Sequence, residues 1–280
     1  MNVNLDSAPD SSDMLSEQTH VKCVVVLGGS FDPVHLGHVA LARRFVDLLQ
    51  PQELRIIPTG NPWQKNGLTA NAAQRCAMLE LAFADQVNCP VVIDRQEILA
   101  AERQQTNYTI DTLRHLRAEY GDTTSIVFLI GADQLQNLSS WHQWQYLFDL
   151  AHICAASRPG FQLDQTNLPQ AAAKEAQQKD TDINTDTETQ QVNQVVNQVL
   201  SKFRQAAATP EQIRTTPAGL TYLADDLQVD ISATQIREEL ERGAASTLVS
   251  GLVSRLVPRL VPIKVLDYIQ QHHLYENTKK

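Results

Sequence analysis

Membrane-length apolar runs, paired cysteines and surplus positive charge are all missing from this chain, and each absence removes a class of function. No run approaches the roughly 20 apolar residues of a spanning helix. The four cysteines (Cys23, Cys76, Cys89 and Cys154) stand far apart, with no C-x-x-C spacing. That argues against a disulfide scaffold or a zinc-finger site, and for buried, reduced thiols in a cytoplasmic protein. Lys and Arg number 23 against 32 Asp and Glu, a net charge of −9. Residues 1–20 and 164–190 hold −8 of it, so the remainder is nearly neutral. Neither a nucleic-acid surface nor a polybasic membrane patch is expected from that balance. The first residues also lack the basic-then-apolar order of a secretory signal.

What is present is 280 residues, 42% of them apolar, enough for one large domain or two small ones. Residues 1–20 are acidic and aperiodic, an expected disordered lead-in. Order begins at VKCVVVLGG, a β-branched run that reads as a strand buried on both faces. Val39, Ala42, Val46 and Leu49 then fall at helical spacing. A strand over 54–58, a helix over 71–84 with Asn71 as its N-cap, and a strand over 91–94 follow. A helix over 109–120, stopped by Gly121, precedes strands over 125–130 and 151–156. Such alternation predicts an α/β fold, a Rossmann-like doubly wound parallel sheet with a helical C-terminal part.

The alternation breaks at 161–217, a polar insertion with ten glutamines between 161 and 205. Inside it Val192, Val195, Val196, Val199 and Phe203 form one apolar helical face, expected to pack back on the domain, with a partner-binding helix as the alternative. The core of 21–160 is then completed by 218–280, with a helix over 233–242. Leu-Val recurs at 248, 252, 256 and 260, interrupted by Pro258 and Pro262. A last helix over 262–272 is expected to turn Ile263, Leu266 and Ile269 inward and to leave His272 and His273 solvated.

The chemistry gathers in GGSFDPVHLGH, residues 28–38, between the first strand and the first helix, where open parallel sheets bind ligands. Gly28 and Gly29 let the backbone approach a ligand with no Cβ in the way. His35 and His38, three apart at a helix start, can aim both imidazoles and the free helix N–H groups at one anion. No G-K-[ST] follows, so this is no P-loop, and it is not G-x-G-x-x-G. A third ligand that would make the histidines a metal site is not evident nearby. Far along the chain, DISATQIREEL (230–240) opens a second helix, with Ser232 and Gln235 as a capping box. Thr234 and Arg237 share the face beside its positive end, and a hydroxyl, N–H groups and a guanidinium make a polyphosphate clamp.

GGSFDPVHLGH with ISATQIR resembles the nucleotidyltransferase superfamily carrying the H-x-G-H motif. More narrowly, RIIPTGNPWQK, QRCAMLELA, NYTIDTLRHLR, FLIGADQLQNLSSWHQW, HICAASRPGF and VLDYIQQHHLY, in that order, make the chain similar to the bacterial nicotinate-nucleotide adenylyltransferases. That similarity covers roughly 21–160 and 218–276. It implies a catalytic set of His35, His38 and Arg237, the histidines contacting ATP phosphates and the transition state. It implies an ATP site of Gly28, Gly29, Ser30, Phe31, Gly131, Asp133, Ile231, Ser232 and Thr234. Lys65, Thr109, Trp141, His142 and Arg158 would meet nicotinate mononucleotide, the Trp141 indole facing the pyridine ring. Two positions depart from the family pattern: His142, where Tyr is frequent, and Gln64, where a His often precedes the basic residue.

The implied reaction is adenylyl transfer from ATP to nicotinate mononucleotide, giving nicotinate adenine dinucleotide and pyrophosphate in NAD biosynthesis. Mg2+ would be carried by the ATP phosphates, with no metal held by the protein. Transfer to nicotinamide mononucleotide or another phosphate acceptor is the alternative. An aminoacyl-tRNA synthetase is disfavoured by the missing K-M-S-K-S segment and anticodon-domain length, and a lapsed nucleotide-binding scaffold by the intact His35, His38 and Arg237. No nucleic-acid or membrane partner is expected, and a homo-oligomer is left open.

Overall fold

The structure, a computed structural model, describes residues 21–60, 68–157, 185–227, 231–245 and 260–276. The acidic lead-in, Gln64, Lys65, Arg158 and most of the Leu-Val repeat lie outside the described residues. In chain order the elements are β1 (Cys23–Gly29), α1 (Leu36–Leu49), β2 (Glu53–Pro58), α2 (Ala72–Phe83), β3 (Val91–Ile93), α3 (Gln96–Glu102) and α4 (Thr109–Tyr120). There follow β4 (Ser125–Gly131), α5 (Ala132–Asn137), α6 (Leu147–Leu150), β5 (His152–Ala156), α7 (Thr185–Gln205), α8 (Pro210–Thr215), β6 (Thr221–Ala224), α9 (Ala233–Ala245) and α10 (Ile263–Gln271).

The strands form one parallel sheet in the order β3-β2-β1-β4-β5-β6, a Rossmann-like doubly wound arrangement. β1 is buried on both faces because its side chains alternate between two cores. Cys23, Val25 and Leu27 join residues of α1, α2 and α10, while Val24 and Val26 join residues of α4 and α7. Local signals set the boundaries. Asn71 accepts the Gln74 N–H at 2.9 Å while Gln74 Oε1 accepts the Asn71 N–H at 2.9 Å, and Gly121 takes φ 80° where α4 stops. β6 is only four residues long, too short for its pattern to announce a strand.

The apolar face of α7 does pack back on the domain: Val196, Val199, Leu200 and Phe203 are buried, and α7 lies against α5. Ile213 of α8 is fully buried in the core cluster that also holds residues of α1, so α8 packs on the domain as well. Two expectations are corrected. Ile263 is 61% exposed, and Val265 joins Leu266 and Ile269 on the inward face of α10. A residue six positions before Ile269 falls off the stripe shared by residues three and four before it. Cys89 is half-buried, unlike Cys23, Cys76 and Cys154, though all four thiols are free. His273 is exposed and meets Glu276 at 3.1 Å. Among the described residues no helix is long and apolar enough to cross a membrane.

Candidate active site

In a doubly wound sheet the chain departs in opposite directions from two neighbouring central strands, leaving a crevice at their carboxyl ends. Here those strands are β1 and β4, and a cavity of about 450 Å³ opens above them. Gly28 and Gly29 at the end of β1 and Ser30 just after it line the cavity, and Gly131 ends β4 on the same cavity. A Cβ on Gly28 would come within 3.3 Å of the Phe128 ring, so the bare backbone keeps this approach open.

His35 and His38 line the cavity with their rings stacked, centroids 3.7 Å apart. His35 is the N-cap of α1, and its backbone N–H donates to His38 Nδ1 at 3.2 Å. With Nδ1 accepting, the neutral His38 ring carries its proton on Nε2. The Phe31 ring packs edge-on to His38 at 4.9 Å and lies beneath Gly29, itself 1% exposed and off the cavity wall. The expected free N–H groups at this helix start need correction. Leu36 N–H donates to Leu260 O at 2.9 Å and His38 N–H to His35 O at 2.9 Å, because the C-terminal segment packs over this end of the helix.

At the start of α9, Ser232 Oγ accepts the Gln235 N–H at 3.1 Å, and Ile231, Ser232 and Thr234 line the cavity. Arg237 stands one layer behind. Its guanidinium donates to Thr234 Oγ1 at 3.1 Å and to the Asp32 carbonyl at 2.5 Å. Asp133 is placed by its backbone in α5, after Gly131.

The far end of the cavity holds Thr109 at the start of α4, Trp141 and His142. Of the aromatics close in sequence, Trp144 is buried in the core and Tyr146 is 57% exposed, and Trp141 alone of the three lines the cavity. Trp141 packs edge-on to Phe128 at 6.2 Å, and its buried Nε1 has no hydrogen-bond partner. The exposed His142 ring lies 4.5 Å from that of Tyr108.

Sequence reading missed Glu97 of α3, which lines the cavity beside Thr59 and Thr112. Thr112 Oγ1 donates to Glu97 Oε1 at 2.7 Å and accepts from Asn107 Nδ2 at 2.9 Å. Burial pushes the Glu97 carboxyl above the ordinary carboxylate range, against the opposing pull of the two threonine hydroxyls. A Cβ on Gly60 would stand 2.1 Å from Glu97 O, so that glycine admits α3 to this position. No motif spacing marks Glu97. Following Asp94, Arg95 and Gln96, it reads in sequence as one more polar residue at a helix start.

A family model described as cytidylyltransferase-like matches residues 26–239. The chain is 52% identical over 256 residues to a probable nicotinate-nucleotide adenylyltransferase of Herminiimonas arsenicoxydans, covering 91% of this chain and 98% of that one. It is 38% identical over 252 residues to a protein of the same description from Laribacter hongkongensis, covering 90% and 94%. Among solved structures, a Plasmodium falciparum nicotinic acid mononucleotide adenylyltransferase complexed with NaAD matches with TM-score 0.59. It is 14% identical and the match covers 91% of this chain and 97% of that one, a likeness of fold.

Proposed function

The chain belongs to the cytidylyltransferase-like family and, within it, to the nicotinate-nucleotide adenylyltransferases, and on that footing we propose that it transfers the adenylyl group of ATP to nicotinate mononucleotide in NAD biosynthesis. The products are nicotinate adenine dinucleotide and pyrophosphate. One observation supports this reading beyond membership. The stacked His35–His38 pair at the β1–β4 crevice shares a single cavity with the α9 start and with Trp141.

The acceptor phosphate is already an anion, so the transfer needs no general base. An oxygen of that phosphate forms a bond to the α-phosphorus in line, the bond from that phosphorus to the bridging oxygen breaks, and pyrophosphate leaves with the electron pair. Positioning and electrostatics then carry the catalysis. His38 offers Nε2–H, and His35 stacked upon it offers a second donor, to charge gathering on the α- and β-phosphates. Arg237, behind Thr234, supplies positive charge toward the pyrophosphate end. Gly28, Gly29, Gly131 and the α9 start would take the adenylyl half, Trp141 the pyridine, and Thr109 with the His142 backbone the carboxylate.

The described residues contain no group of three or more His, Cys, Asp or Glu side chains able to hold a metal ion, so they do not fit a protein-held cage. Magnesium brought with ATP would supply charge neutralisation of the phosphates, leaving the protein side chains to orient them.

The test is pyrophosphate release and dinucleotide formation from ATP with nicotinate mononucleotide or nicotinamide mononucleotide. A strong preference for the acid is expected, and equal rates would keep the chemistry but remove the substrate assignment. His38→Ala should lower kcat by about 10²–10³, the scale of losing one donor to transition-state charge. Retention of most of the rate by a folded His38→Ala protein would overturn its role.

A further inference from the structure

Asp32 lies in the loop joining β1 to α1 and is 3% exposed. Its carboxylate accepts the backbone N–H groups of Thr69 at 2.9 Å and Ala70 at 3.0 Å, and the Tyr275 hydroxyl at 2.7 Å. Its carbonyl accepts Arg237 Nη1, whose guanidinium also holds Thr234 on the cavity wall. Hydrogen bonds therefore run without a break from residue 275 through residue 32 to Arg237 and Thr234.

The backbone is unusual at Tyr275 and at Phe31, the residue before Asp32. Phe31 takes φ 49° and Tyr275 φ 63°, the left-handed region that bulky side chains avoid. Such conformations persist where surrounding contacts over-determine them, and they cluster at functional sites. Both side chains are buried, and the same C-terminal segment touches the loop again through the Leu36–Leu260 hydrogen bond. A phenylalanine would fill the same space, so the hydroxyl aimed at Asp32 contributes something besides packing. Burial and the facing Asp32 hold that hydroxyl well above the ordinary phenol range, so it remains a donor.

We propose that Tyr275 is a positioning residue for the transfer step: through Asp32 it holds the Arg237 guanidinium in register with the phosphate end of the cavity. This rests on the reading that Arg237 serves the leaving pyrophosphate.

A double-mutant cycle with Tyr275→Phe and Arg237→Ala tests it, using dinucleotide formation well below each variant's Tm. Tyr275→Phe is expected to lower kcat about tenfold with KM for either substrate changed by less than about twofold. In the Arg237→Ala background the same substitution should change kcat by less than about twofold, because the route ends at a side chain already removed. Equal losses in both backgrounds, or no loss from Tyr275→Phe alone, overturn the proposal. Should Tyr275→Phe fail to fold, Asp32→Asn carries the same cycle with the same expected coupling. Wild-type protein that formed no dinucleotide would instead overturn the proposed function, and that measurement comes first.

Discussion

His38 is set before any ligand arrives, since the His35 N–H holds its Nδ1 and the Phe31 edge and His35 ring confine its plane. The spacing of the two histidines was legible in the sequence, because a helix start is a local event. Their stacking was not, because it depends on Phe31 being driven into the core behind them. Glu97 makes the contrast sharper. Its neighbours Thr112 and Thr59 come from α4 and from the end of β2, and only the fold gathers them. Its raised carboxyl pKa has a consequence for stability. A group whose folded value exceeds its unfolded value favours the fold at low pH and loses that contribution as pH rises through the folded value. Glu97→Gln, which keeps an acceptor for both hydroxyls, is therefore expected to gain stability over the wild type as pH rises from acid toward neutral. Urea midpoints across that range check it, and parallel curves for the two proteins would show that Glu97 ionises without penalty.

At the scale of elements, α7 shows what periodicity can establish and what it cannot. The spacing of Val196, Val199 and Phe203 identified a helix with one apolar face, and the burial of those residues identifies its partner as this domain. Removing a buried aromatic from a packed core costs about 3–5 kcal/mol. Phe203→Ala should thus lower global stability by that amount, visible as a reduced urea midpoint with an unchanged slope. A helix that were a mere appendage would instead melt alone and leave the midpoint untouched. α10 illustrates the limit. Pro262 and the apolar residues announced a helix, yet assigning Ile263 to its inward face was an error of phase. With three apolar residues in the first four positions, the stripe is decided by which of them meets α2, and no local rule supplies that.

For the molecule as a whole, the cavity draws on both halves of the sheet and on α9, so a ligand that spans it bridges segments distant in sequence. Binding to the folded state alone at 100 times Kd adds about 2.7 kcal/mol, which for a chain of this size raises Tm by roughly 4–6 °C. The dinucleotide product should produce such a shift, and ATP at the same concentration a smaller one. In Trp141→Ala the dinucleotide shift should fall to that of ATP, whereas an unchanged difference would place the pyridine elsewhere. By itself the sequence determined the alternation of strands and helices, most of their boundaries, and both motifs that enter the cavity. Hydrophobic period, capping pairs and Gly-rich turns act over a few residues and leave a local trace. Only the tertiary structure decided that β1 and β4 are neighbours, that Leu36 N–H is spent on Leu260, and that Tyr275 and Arg237 converge on Asp32. Those contacts join positions up to 243 residues apart, and their geometry is set by the packing of whole layers rather than by any spacing along the chain.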